Sequence, residues 1–134
     1  MSYRILMVEN DADDRYLTEE MFQSEGLDAK VDFIYSNALQ DYLADTRNQP
    51  QLVILDINTQ PHEFTDLVAG IRQTDRYRLT PLVVLGNTAR PEDIQKSYRS
   101  GANSYIKKPE GYANTMFKIN AFIKYWFQAV ELPG

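Results

Sequence analysis

Five short apolar runs, each followed by a helix-period segment, predict the α/β class: a doubly wound five-stranded parallel sheet flanked by five helices. Two further observations support it. The third and fourth runs, Leu52–Asp56 and Leu82–Leu85, are apolar almost throughout instead of alternating, as strands covered on both faces must be. Polar residues collect just where the first, third and fifth runs end, the edge at which open parallel sheets bind ligands.

The elements follow in order. Tyr3–Val8 reads as the first strand, and a helix follows over roughly Asp11–Ser24, with Asp11 as its N-cap. Gly26 stands just past that helix, where a left-handed residue is wanted. Ala29–Tyr35 is the second strand, leading to a helix over Ser36–Thr46 with Ser36 as the cap. Pro50 marks the loop entering the third strand, Leu52–Asp56, and Glu63–Thr74 is the next helix. Pro81 leads into the fourth strand, Leu82–Leu85, and a helix over Pro91–Ser100 ends at Gly101. Asn103–Ile106 is the fifth strand, and Ala113–Ala129 the last helix. Short right-handed crossovers then wind the sheet in both directions from its first strand.

At 134 residues the expectation is one domain, 1–134, with no output domain attached. A net charge of -5 disfavours nucleic acid and anionic membrane as partners, because either would be repelled over most of the surface. The absence of cysteine removes disulfide scaffolds and thiolate chemistry. The first residues run straight into a strand pattern without the apolar segment of a signal peptide, so a cytoplasmic location is expected.

The strand ends carry the chemistry. Glu9-Asn10-Asp11 follows the first strand, Asp56 closes the third and is followed by Ile57-Asn58, and Lys107-Lys108-Pro109 follows the fifth. Carboxylates clustered at one edge repel unless a cation lies among them, and a hard divalent ion such as Mg2+ suits an all-oxygen set. With that ion and Lys108 neutralising the cluster, Asp56 can act as a carboxylate nucleophile toward a phosphoryl donor.

The segments Ile5-Leu-Met-Val-Glu-Asn-Asp11, Leu52-Val-Ile-Leu-Asp-Ile-Asn58, Pro81-Leu-Val-Val-Leu85 and Gly101-Ala-Asn-Ser-Tyr-Ile-Lys-Lys-Pro109 resemble the receiver domain of response regulators, over essentially the whole chain. The chain is similar in particular to stand-alone, chemotaxis-response-regulator-like receivers associated with bacterial phytochromes, which share the Gly-Ala-Asn-Ser-Tyr stretch and a Tyr-Trp-Phe in the last helix. The resemblance implies a flavodoxin-like receiver topology and a role in two-component phosphorelay signalling. It implies that Asp56 is the phosphoacceptor, taking its phosphoryl group from a sensor histidine kinase, with a phytochrome-type kinase as the candidate that the subfamily resemblance adds. It implies that Lys108 contacts the phosphoryl group, and that Glu9, Asp56 and the backbone carbonyl of Asn58 hold Mg2+. Enzymatic activity is expected to go no further than phosphorylation and dephosphorylation of Asp56 itself.

Two positions depart from the family pattern. Asn10 stands where a second acid is usual, which leaves open whether its amide oxygen or the Asp11 carboxylate completes the metal site, and implies weaker metal binding. Gly86 stands where a Thr or Ser hydroxyl normally bonds the phosphoryl oxygen, while Tyr105 keeps the aromatic half of the switch pair. The stretch Thr59-Gln-Pro-His-Glu-Phe64 also lacks the usual placement of proline and glycine. These departures define the rival reading, a pseudo-receiver that binds a partner independently of phosphorylation. A nucleotide-binding domain on the same layout is disfavoured by the lack of a glycine-rich phosphate loop.

Other features have plainer readings. The Asp11-Ala-Asp-Asp14 run is expected to be a solvated acidic helix start, and His62 an exposed loop residue. In the last helix Met116, Ile119, Ile123 and Phe127 can face the sheet, whereas Phe117, Phe122, Tyr125 and Trp126 cannot all do so. Some aromatic surface is therefore expected on the fourth helix, fifth strand and fifth helix, the face through which a partner or homodimer contact is expected.

Overall fold

Side chains alternate across a strand, so each covered strand divides its residues between two cores. In the computed structural model, which describes residues 2–133, this division is clean. Leu6, Val8, Val53, Leu55, Leu82 and Val84 enter one apolar cluster, and Ile5, Met7, Leu52, Ile54 and Val83 enter the other. Burying one such side chain is worth about 1.5–3 kcal/mol, so the sheet is held from both faces.

The strands are β1 (Tyr3–Val8), β2 (Ala29–Ile34), β3 (Leu52–Asp56), β4 (Leu82–Gly86) and β5 (Ser104–Lys107). They form one parallel sheet in the order β2-β1-β3-β4-β5. The helices are α1 (Ala12–Ser24), α2 (Leu39–Ala44), α3 (Phe64–Gln73), α4 (Pro91–Ser100) and α5 (Tyr112–Ile123). Leu39, Leu43, Phe64, Val68 and Ile71 place α2 and α3 on the first cluster; Phe22 and Ile123 place α1 and α5 on the second. This is the five-stranded doubly wound α/β fold that the alternation of runs predicts.

The helix ends obey local chemistry in most places. Asp11 caps α1, its Oδ1 accepting the backbone N–H groups of Asp13 at 2.8 Å and Asp14 at 3.2 Å. Gly26 and Gly101 have φ of 73° and 124°, the left-handed backbone expected of residues that end a helix.

Three expectations need correction. Ser36 does not cap the second helix: it is buried and opens a 3₁₀ turn, Ser36–Ala38, with α2 proper running only over Leu39–Ala44. Its hydroxyl is committed instead to Asn10 and to the Thr59 carbonyl. The last helix changes period, with a π-helical turn over Lys124–Ala129 that brings Phe127 into the core and the Phe127 carbonyl 3.1 Å from the Tyr3 hydroxyl donating to it. Phe122 and Trp126 pack against the second cluster, so among the described side chains the aromatic surface left on this helix is Phe117 and Tyr125, 73% and 54% exposed.

The Gly-Ala-Asn-Ser segment is a structural joint. Asn103 Oδ1 accepts the Leu82 N–H at 2.8 Å and an Arg72 guanidinium N–H at 2.8 Å, while Arg72 Nε donates to the Gly101 carbonyl at 2.8 Å. This ties the end of α3 to the α4–β5 turn and fixes where β5 enters the sheet. No helix among the described residues is long and apolar enough to cross a membrane.

Candidate functional site

The parallel register delivers the polar residues to one place. Val8 pairs with Leu55, Asp56 with Leu85 and Leu85 with Ile106, so Glu9 stands level with Asp56 and Lys108 lies two residues further along the same carboxyl edge. The ladder extends one residue beyond β5, the Lys108 N–H donating to the Gly86 carbonyl at 2.7 Å, which turns the Lys108 side chain into the cluster.

There the Lys108 ammonium pairs with three carboxylates. It contacts Asp56 Oδ2, and lies 3.2 Å from Asp14 Oδ2 and 3.6 Å from Glu9 Oε1. Glu9 and Asp56 are 2% and 1% exposed, so their charges cannot be shared with water. Asp56 is further oriented by its Oδ1, which accepts the backbone N–H of Asn58 at 2.8 Å.

Electrostatics follow from this burial. Burial raises the Glu9 pKa, helped by a hydrogen bond and charge repulsion from Asp56 and opposed by Lys108, to about 8. The cluster therefore favours a proton on Glu9 more than water would when no further cation is near. Burial alone would lower the Lys108 ammonium, but Asp56, Glu9 and Asp14 together hold it above its ordinary value, so it stays charged.

The donor set fits a hard divalent cation. One carboxylate oxygen each from Glu9, Asp14 and Asp56 lies within 4.8 Å of the others, and Glu9 Oε1 is buried with no hydrogen-bond partner, its nearest cation being Lys108 at 3.6 Å. An all-oxygen, carboxylate-rich set of this kind selects Mg2+ or Mn2+ over softer metals.

The structure brings Asp56, Glu9 and Lys108 together and sends the two open candidates elsewhere. Asn10 faces away from the cluster: its Oδ1 accepts the Ser36 N–H at 2.8 Å, and its Nδ2 donates to Ser36 Oγ at 3.0 Å. Asp11 is engaged as the α1 cap. Asn58 lies beside Asp56 through its N–H. The residue that reading the sequence missed is Asp14, expected among solvated acids but reaching Lys108 across the helix start. Its spacing was the available signal, since the third residue after an N-cap lies over the turn that leaves the strand. His62 is exposed, as expected, with Nδ1 3.1 Å from Ser36 Oγ.

Gly86 and Tyr105 lie on neighbouring strands, Gly86 paired with Lys107 and Tyr105 with Val84. A Cβ added to Gly86 would overlap the Tyr105 hydroxyl and lie 2.5 Å from its Cζ. The phenol thus occupies the space of a side chain at position 86, and its Oη donates to the Thr88 carbonyl at 2.7 Å.

A family model described as the response regulator receiver domain matches residues 5–120. Among curated proteins, the response regulator Rcp1 of Synechocystis sp. is 24% identical, the match covering 97% of this chain and 92% of Rcp1. The phosphorylated cyanobacterial phytochrome response regulator RcpA has the same fold, with a TM-score of 0.90 over all of both chains at 22% identity. The Mn2+-bound form of Rcp1 superposes with a TM-score of 0.86, covering 98% of this chain and 99% of that one at 23% identity.

Proposed function

The chain belongs to the response regulator receiver domain family, and from that premise we propose that it works as a single receiver domain, accepting a phosphoryl group on Asp56 from the phosphohistidine of a sensor histidine kinase. The observation that carries the reading is Lys108, held against Asp56 by three carboxylates at the carboxyl edge of the sheet. Asp56 attacks the phosphorus through Oδ2 as the bond from phosphorus to the histidine nitrogen breaks, giving an acyl phosphate. Its Oδ1 stays fixed by the Asn58 N–H, so the attacking oxygen is aimed without further ordering. Lys108 neutralises charge on the transferred group. A bound Mg2+, held by Glu9, Asp56 and the Asn58 carbonyl, would supply the remaining positive charge at the phosphoryl oxygens.

The kinase is proposed to be of phytochrome type, supported by the likeness to the phytochrome response regulator RcpA. The surface proposed to pass on the phosphorylated state, to a partner or a second copy, is α4, β5, α5 and the π turn that continues α5, where Tyr98, Phe117 and Tyr125 are exposed. A second reading, binding without phosphorylation, is favoured by one observation: Tyr105 fills the space at Gly86 that a hydroxyl-bearing side chain would need.

The test is incubation with acetyl phosphate, with and without Mg2+, followed by intact mass measurement. A single phosphoryl adduct that needs Mg2+ and is lost in Asp56→Asn is the expected result. No adduct, together with no spectral response to beryllofluoride, would leave the binding-module reading in its place.

A further inference from the structure

Asn10 removes one carboxylate from the usual set, yet three carboxylates still surround the site. We infer that Asp14 takes over the missing position and is a direct ligand of the divalent cation, with Glu9 and Asp56. The inference rests on the cation reading of this site given above and concerns which residues of this chain complete it.

Four observations support Asp14 and exclude its neighbours. First, its carboxylate lies within 4.8 Å of oxygens on Glu9 and Asp56. Opposite ligands of an octahedral Mg2+ with bonds of 2.0–2.1 Å stand roughly 4 Å apart, so only a small closure is needed. Second, Lys108 marks where positive charge is already held: Asp14 Oδ2 receives its ammonium N–H at 3.2 Å, beside the same ammonium's contacts to Glu9 and Asp56. Third, Glu9 is 2% exposed and its Oε1 is aimed into the cluster without a hydrogen-bond partner, an oxygen that a cation would satisfy. Fourth, both atoms of the Asn10 amide are bonded to Ser36, and Asp11 Oδ1 holds two N–H groups of α1.

The Asp11 cap also explains how Asp14 gets there. By fixing the Asp13 and Asp14 N–H groups it sets the first turn of α1, and Asp14 projects from that turn toward Lys108 while Asp13 stays exposed. The Asp14 side chain is 44% exposed and is the only one of the three carboxylates free to adjust when a cation enters.

Mn2+ serves as the probe, because the signal of the free ion in electron paramagnetic resonance reports binding directly and Mg2+ can be titrated in competition. The full chain is compared with Asp14→Asn and Asp11→Asn, the latter removing the same charge from the same turn while keeping a capping side chain. Even supporting residues around a metal change affinity about 10–100-fold, so loss of a direct ligand is expected to weaken binding at least tenfold. Asp11→Asn is expected to stay within about twofold, since it loses only a screened surface charge. Native protein that binds while Asp14→Asn binds equally well overturns the assignment. Equal weakening in both variants overturns it too, by showing a general charge effect. Native protein that binds no Mn2+ at millimolar levels refutes the cation reading itself, and this inference with it.

Discussion

Replacing Gly86 with Ala tests whether the glycine exists to admit Tyr105. The described glycines with left-handed backbone are Gly26, Gly101 and Gly111, so the backbone of Gly86 accepts alanine without strain. The conflict is with the phenol, since the new Cβ would overlap Oη and approach Cζ to 2.5 Å. The ring is the movable partner and must swing out, losing its bond to the Thr88 carbonyl, worth about 0.5–1.5 kcal/mol. Its packing against Leu82, Val84 and their neighbours is lost as well, about 1 kcal/mol for a half-buried side chain. Against this, alanine gains about 0.5–1 kcal/mol over glycine in a strand. Gly86→Ala alone is therefore expected to cost about 1 kcal/mol. With Tyr105→Ala in the background the obstacle is gone, and the same substitution becomes stabilising by about 0.5–1 kcal/mol. Urea unfolding of the four proteins reads this change of sign. Additive effects, with coupling below about 0.5 kcal/mol, would show that Tyr105 does not depend on the glycine and would refute the argument.

Two further effects can be read by unfolding. Glu9 has a pKa of about 8 in the fold and 4.5 ordinarily, so between these pH values the unfolded chain binds fewer protons and stability falls as pH rises. The contribution is intact below about pH 4.5 and fully lost above about pH 8. With chelator present, Glu9→Gln is expected to remove a slope of up to about 1.4 kcal/mol per pH unit, and native stability that instead rises from pH 5 to 8 would count against it. Arg72 donates to the Gly101, Tyr77 and Thr80 carbonyls and to Asn103 Oδ1, a fork that lysine cannot reproduce. Arg72→Lys is expected to cost about 2–3 kcal/mol in urea unfolding, and a loss below about 0.5 kcal/mol would show that the joint is dispensable.

The fold was legible because apolar runs and strand ends carry their own physics. Leu52–Asp56 could not have one wet face, and that alone called for a parallel sheet. Glu9, Asp56 and Lys108 were legible for the same reason, each being the last residue of a strand or the one directly after it. Ser36 was misread because a serine before a helical pattern looks like a cap from sequence alone; only the fold brings Asn10 beside it. Asp14 was misread because three acids at a helix start usually face water, and the distinction between them depends on the rotation of α1 over β1. In the last helix Phe127 faces the core as its spacing predicts, while the π turn over Lys124–Ala129, which leaves no sequence signal of its own, continues the helix past Ile123.

The two departures from the receiver pattern act on different parts of the proposed mechanism, and the geometry treats them differently. At Asn10 the lost carboxylate has a replacement close at hand, since Asp14 restores three acids around Lys108. Attachment of a phosphoryl group depends on that charge balance, so this substitution need not impair it. At Gly86 the lost hydroxyl has no such replacement: the space is filled by Tyr105, whose own hydroxyl is directed to Thr88. A phosphoryl group on Asp56 therefore has no residue-86 side chain to draw inward, and no vacant space there for Tyr105 to enter. A ligand shifts an equilibrium only by binding one state better than the other. Phosphorylation on Asp56, as proposed, would act on Lys108, Asp14 and the start of α1, the groups whose charge partners it changes.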